Sequence, residues 1–227
     1  MAETTELIFL PGLGADVRLF APQAAVFKNL TVPPWIPPHR DESLQEYAAR
    51  LAEMINPRGR YLIGGVSLGG MIAHEMATHL SKRDTKPSGL VLISTCRTQS
   101  GLRGWQRLAP LASILPPAAF GMAKPIAPLA AIFYNRLPAD MRRLSVQMFQ
   151  DADNRFMQWA LAAILRWKSS APADVPTFHI HGRRDRLIRI KNVETQEIID
   201  DGGHLINLTH TEQVNKFIAR AAASVVS

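Results

Sequence analysis

The sequence predicts an α/β fold: a mostly parallel sheet of about six strands with helices on both faces, and a helical segment inserted late in the chain. Three observations point there. Short apolar runs alternate with stretches of helical periodicity, as strands buried on both faces require. Glycine- or proline-containing turns follow several of these runs. The rhythm then breaks between Arg97 and Ser170, where prolines punctuate helical patterns and no convincing strand occurs.

In chain order, Glu6–Leu10 (ELIFL) is a buried strand stopped by Pro11-Gly12-Leu13-Gly14. A short helix over Val17–Phe27 leads to a second strand at Leu30–Trp35, ended by the cluster Pro33, Pro34, Pro37 and Pro38. Ser43 is suited to cap a helix over Leu44–Ile55, where Leu44, Tyr47, Ala48, Leu51 and Ile55 fall at helical spacing. Arg60–Val66 is the third strand, Gly69–Lys82 the helix after it, and Gly89–Ser94 the fourth strand. Val175–Ile180 gives a fifth strand, Asn192–Ile199 holds a sixth, and Glu212–Ala222 is a closing helix. The expected organisation is a core made of residues 1–96 and 171–227, with residues 97–170 as an inserted helical cap.

At 227 residues the chain suits one substantial core and is short for two full-sized domains. The balance of 47% apolar to 20% charged residues is that of a globular protein. Cys96 is the only cysteine, so no intramolecular disulfide can form, and a reducing, cytoplasmic setting is expected. The N-terminus has neither a basic leader nor a signal-length apolar core, and no apolar stretch approaches the roughly 20 residues of a membrane span. The formal charge of +7 sits entirely in residues 97–170, where ten Arg and Lys face three Asp.

The chemistry begins at Ser67, in YLIGGVSLGG, where a strand hands over to a helix. A serine hydroxyl is a weak nucleophile until a base takes its proton, and it must project into a cleft. A sharp strand-to-helix turn achieves that projection but leaves room only for small residues two positions either side, which Gly65 and Gly69 provide. Glycine is common enough, about 7% of residues, that G-x-S-x-G alone is weak; its place between strand and helix gives it weight. A base and a carboxylate should then come from loops at the same sheet edge. Asp185 follows the fifth strand in HGRRD, and His204 follows the sixth in DGGH. His210 is the rival base, while Asp200 and Asp201 lie too near His204 in sequence to be favoured as its partner. His74 and His79, within the helix after Ser67, are expected to face solvent or to pack, and His179 and His181 to serve structure. An oxyanion needs two N–H donors: Leu68, directly after the nucleophile, and Leu13, in the glycine-flanked loop after the first strand.

LPGLGAD, GVSLGG, HGRRD and GGH occur in that order on this strand–helix rhythm, and together the chain resembles the α/β-hydrolase superfamily almost end to end. It is most similar to small serine esterase-like members with a helical cap. The resemblance implies a Ser67–Asp185–His204 triad, an acyl-enzyme on Ser67, and no metal or organic cofactor. Two departures stand out: the family's leading strands are missing, and Pro11 stands where relatives often carry histidine. A nucleophilic serine argues against the family's dehalogenases and epoxide hydrolases, which use aspartate. C–C bond hydrolases, lyases and ligand-binding receptors keep the same triad on the same scaffold, so they stay open as alternatives.

Within 97–170, Trp105, Phe120, Met122, Phe133, Met148, Phe149, Met157, Trp159 and Trp167 supply large apolar groups. Phe156, Trp159, Ala160, Ala163, Ile164 and Trp167 share a helical face expected to seat this segment on the core, with some side chains lining a pocket for a medium-sized apolar group. The positive field over such a cleft suits an anionic small-molecule substrate, such as a carboxylated ester or an acyl-CoA thioester. No nucleic-acid-binding motif accompanies the charge, so neither nucleic acid nor membrane is an expected partner.

Overall fold

The computed structural model describes residues 5–83, 86–102, 137–170 and 174–225. Strands β1 (Glu6–Leu10), β2 (Leu30–Thr31), β3 (Tyr61–Val66), β4 (Gly89–Ile93), β5 (Thr177–Gly182) and β6 (Glu197–Ile199) form one sheet. Its order is β2-β1-β3-β4-β5-β6 and every neighbouring pair is parallel. The described α-helices are α1 (Ala21–Ala24), α2 (Leu44–Ile55), α3 (Leu68–Leu80), α4 (Ala139–Asp151), α5 (Asn154–Arg166), α6 (Ile206–Thr209) and α7 (Thr211–Ser224).

Alternation along each strand divides the core between the two faces. Ile8, Leu10, Ile63, Leu90 and Leu92 pack with α2, α3 and α5. Leu7, Phe9, Leu62, Val91 and Ile93 pack with α7 on the other face. The sheet order reverses at β1, whose successor β2 lies on one side and β3 on the other. The carboxyl ends of β1 and β3 therefore border the crevice where ligands bind in open sheets of this kind.

Local sequence accounts for α2 in full. The Ser43 hydroxyl accepts from the Glu46 N–H at 3.2 Å, while Glu46 accepts from the Ser43 N–H at 2.8 Å, closing a reciprocal capping box. Other elements differ from their expected bounds for identifiable reasons. The second strand ends at Thr31 rather than Trp35, since Pro33 and Pro34 have no N–H for the ladder. The expected helix over Val17–Phe27 is a 3-10 turn at Val17–Phe20, capped by Asp16, followed by the single turn α1. The fifth strand starts later and continues to Gly182, which puts His181 inside it. The sixth is only Glu197–Ile199. Before it, the Gln196 side chain accepts from the His179 N–H at 2.6 Å and donates to the Thr177 carbonyl at 2.8 Å, doing the work of a ladder.

In residues 97–170, α4 and α5 fulfil the expectation of helices, while Trp105, Phe120, Met122 and Phe133 lie outside the described residues. Asp153 caps α5 by accepting from the Phe156 N–H at 2.7 Å. The expected face of α5 does seat it: Phe156, Trp159, Ala160, Ala163 and Trp167 are buried in the core cluster. Trp159 lies 4.3 Å from Tyr47 between ring centroids and donates to the Glu42 carbonyl at 2.8 Å. Among the described residues, no helix is long and apolar enough to cross a membrane.

A second anchor is the buried Glu75 on α3. One of its carboxylate oxygens accepts from the Trp167 indole at 2.7 Å and from the Ser170 N–H at 3.0 Å; the other accepts from the Ser170 hydroxyl. Removing it strands buried donors without acceptors, a cost of about 1–3 kcal/mol each. Glu75→Leu is expected to lower unfolding stability by about 2–4 kcal/mol, and Glu75→Gln by less, because its amide oxygen keeps the indole and Ser170 N–H satisfied. Urea midpoints of the two variants at constant slope would check the order.

Candidate active site

Ser67 sits between the last residue of β3 and the first of α3 with φ 55° and ψ −119°, a region that side chains other than glycine seldom occupy. The turn holds because its surroundings tolerate nothing larger. A Cβ on Gly69 would lie 2.1 Å from the Leu10 carbonyl oxygen, and one on Gly65 would lie 2.5 Å from the Gly69 backbone. These are the two glycines expected to make room for the turn. The Thr95 hydroxyl, just beyond β4, donates to the Ser67 carbonyl at 2.6 Å and fastens the turn from the other side. Sequence reasoning had no means of finding Thr95, because the contact joins residues brought together only by strand pairing.

Asp185 and His204 come together as expected. His204 Nδ1 lies 2.7 Å from Asp185 Oδ2, with both side chains buried. A carboxylate can only accept, so Nδ1 carries a proton, and in the neutral ring Nε2 presents a lone pair. The other Asp185 oxygen accepts from the N–H groups of Leu187 at 2.8 Å and Ile188 at 2.9 Å. Burial opposes the charge on Asp185, but electrostatic attraction to the His204 ring, hydrogen bonds from His181 and His204, and attraction to the His181 ring outweigh it and hold the carboxyl well below the usual carboxylate range.

Backbone contacts bring the acid turn and the histidine loop together. Arg183 N–H donates to the Ile199 carbonyl and Arg184 N–H to the Gly202 carbonyl. A Cβ on Gly182 would lie 2.2 Å from the Gly203 oxygen, so the approach requires glycine. His181, assigned to structure from sequence, is a positioning residue here: its Nε2 donates to the Ile188 carbonyl at 2.8 Å and lies 3.3 Å from Asp185 Oδ2. The rival pairings are taken up elsewhere. His210 contacts Asp201 at 3.1 Å and Thr209 at 2.8 Å, while Asp200 pairs with Arg183. His79 pairs with Glu53, and burial leaves His179 with a value lowered to about 3, hence uncharged.

Ser67 and His204 line one cavity of about 260 Å³, with Gly12, Leu13 and Gly14 along its border. Among the described residues no hydrogen bond joins the Ser67 hydroxyl to the His204 ring. The loop after β1 passes over the serine, since a Cβ on Gly12 would touch that of Ser67 at 3.6 Å. Leu68 opens α3, so its N–H has no acceptor within the helix. The remaining lining is mostly apolar and includes Met71, Leu102, Phe149, Ile164 and Leu165.

Residues 7–217 match the profile described as Alpha/beta hydrolase family. The chain belongs to this family. No curated protein matches it by sequence. Among solved structures it is similar to a thermophilic esterase from Thermogutta terrifontis, at 18% identity and a TM-score of 0.72, covering 98% of this chain and 91% of that one. It is also similar to MenH from S. aureus, at 16% identity and a TM-score of 0.75, covering 100% and 96%. A type II thioesterase from the yersiniabactin NRPS/PKS biosynthetic pathway, YbtT, aligns at 19% identity and a TM-score of 0.69, covering 99% and 95%. At these identities the likeness is one of fold.

Proposed function

We propose that the chain is a serine hydrolase that cleaves a carboxylic ester or thioester of a small to medium, partly apolar substrate through an acyl-enzyme on Ser67. The observation that carries this reading is that His204, paired with the buried Asp185, lines one cavity with a serine on a strained turn.

In this mechanism, His204 Nε2 takes the Ser67 proton as the hydroxyl oxygen attacks the substrate carbonyl carbon. The carbonyl oxygen becomes an oxyanion held by the N–H groups of Leu13 and Leu68. The charged imidazole returns its proton to the departing alcohol or thiol, leaving an acyl group on Ser67. His204 then deprotonates a water, which attacks the acyl carbonyl; the acid leaves and the hydroxyl is restored. Asp185 keeps the ring in the required tautomer and stabilises its charged form. Residues 1–96 and 171–227 serve as the core, and 97–170 as a cap that encloses the acyl or alcohol group. The lone, buried Cys96, with its thiol pushed up to about 12 by burial, plays no part in this chemistry and fits a reducing cytoplasm.

A panel of p-nitrophenyl esters and matched thioesters of increasing chain length is the direct test. Turnover is expected for short to medium acyl chains and should fall off for long ones that exceed the cavity. If none of the panel is cleaved while a fluorophosphonate still labels the serine, the ester and thioester reading fails and a C–C hydrolase, lyase or ligand-binding role takes its place.

A further inference from the structure

The cavity lining contains one residue that an apolar acyl pocket does not call for. Arg142 lines it together with Ser145, Val146 and Phe149. Met148 of α4 lines it too, and positions 142, 145, 146 and 149 follow the spacing of a single helical face, so Arg142 belongs to the face turned toward the cavity. Arg143, one residue on, does not line it.

Among the described residues nothing neutralises Arg142: it forms no ion pair, and its side chain donates to the Leu137 carbonyl at 3.3 Å. The three aspartates of residues 97–170 do not pair with it: Asp151 pairs with Arg18, Asp153 caps α5, and Asp140 lies in the first turn of α4. The sequence of residues 103–136 contains four Arg or Lys and no Asp or Glu, so that segment brings no carboxylate either. Among the described residues no carboxylate lines the cavity, and Arg142 is the one Arg or Lys that does. An unpaired guanidinium is a planar fork of donors matched to a carboxylate or phosphate.

We infer that Arg142 anchors an anionic group of the substrate, a carboxylate or phosphate joined by an apolar spacer to the carbonyl that Ser67 attacks. The inference rests on the hydrolase reading and narrows it to esters or thioesters that carry their own negative charge. The charge can sit on the acyl part or on the leaving group; the anchoring chemistry is the same.

The test compares three esters. p-Nitrophenyl hemiglutarate carries the charge on the acyl part, 4-carboxyphenyl valerate carries it on the leaving group, and p-nitrophenyl valerate is the neutral reference. In wild type, kcat/KM should favour one charged ester over the neutral one, which also tells the two sources apart, and the preference should shrink with added salt. Arg142→Gln is expected to reduce that preference by about ten- to a hundredfold, Arg142→Lys to restore part of it, and Arg143→Gln to leave it intact. Equal turnover of all three esters by wild type overturns the inference. So does a preference that survives Arg142→Gln, or one that Arg143→Gln erodes as much. If no ester turns over, that result bears on the hydrolase reading and not on the anchor, and ligand-observed NMR with monomethyl glutarate and methyl valerate decides the anchor. Glutarate binding that is lost in Arg142→Gln upholds it, and binding that is absent or indifferent to Arg142 removes it.

Discussion

Ser67→Ala is expected to reduce ester turnover by about 10⁴-fold or more and to abolish fluorophosphonate labelling, with the melting temperature essentially unchanged. The separation of activity from stability follows from the local structure. The hydroxyl makes no hydrogen bond among the described residues, whereas the turn is held by Thr95 and by the tight fit around Gly65 and Gly69. Alanine keeps the backbone strain and removes only the nucleophile. Ser67→Gly makes a sharper contrast. Glycine adopts φ 55° without the penalty of a Cβ, so this variant should be equally inactive yet more stable, by about 1 kcal/mol or more. A gain in melting temperature with loss of turnover would mean that the protein tolerates strain at this residue for the sake of the projecting hydroxyl. Retained turnover in either variant would remove Ser67 from the chemistry.

What the sequence revealed and what it concealed divide along the range of the interactions. The capping box at Ser43 and Glu46 is a three-residue affair, and α2 has its expected bounds. The serine turn is likewise local, needing glycine at two nearby positions. The convergence of the three loops at one edge follows from parallel βαβ units, whose connections allow few arrangements. By contrast, the shortened β2 and β6 depended on competition between backbone ladder and side chains, Gln196 above all, which no pattern of hydrophobicity records. The approach of His181 to Asp185 depends on β5 running two residues further than its apolar run. Arg142 and Arg143 are adjacent and chemically alike in sequence. Only the rotation of α4 against the cavity distinguishes them, and that is set by tertiary packing.

Asp185→Asn carries the second large effect. Asparagine fits the same space, and its carbonyl oxygen can still accept from the Leu187 and Ile188 N–H groups. Its amide nitrogen then faces His204 Nδ1, which must accept rather than donate. The ring proton moves to Nε2, the atom that should receive the Ser67 proton, and general-base catalysis is lost. A fall in kcat of about 10²- to 10⁴-fold at neutral pH is expected, with KM much less affected. Stability provides an independent reading of the same carboxyl. Its folded-state value lies below its unfolded one, so its charged form favours folding at every pH above about 4. That contribution drains away as pH falls from there through the folded-state value. The variant has no carboxyl to titrate. The stability gap between wild type and Asp185→Asn should therefore be widest at neutral pH and should narrow as the pH is lowered below about 4, measured by urea midpoints across the range. A gap independent of pH would mean that His204 and His181 do not hold the carboxylate charged, and full activity in the variant would assign the orientation of His204 to another group.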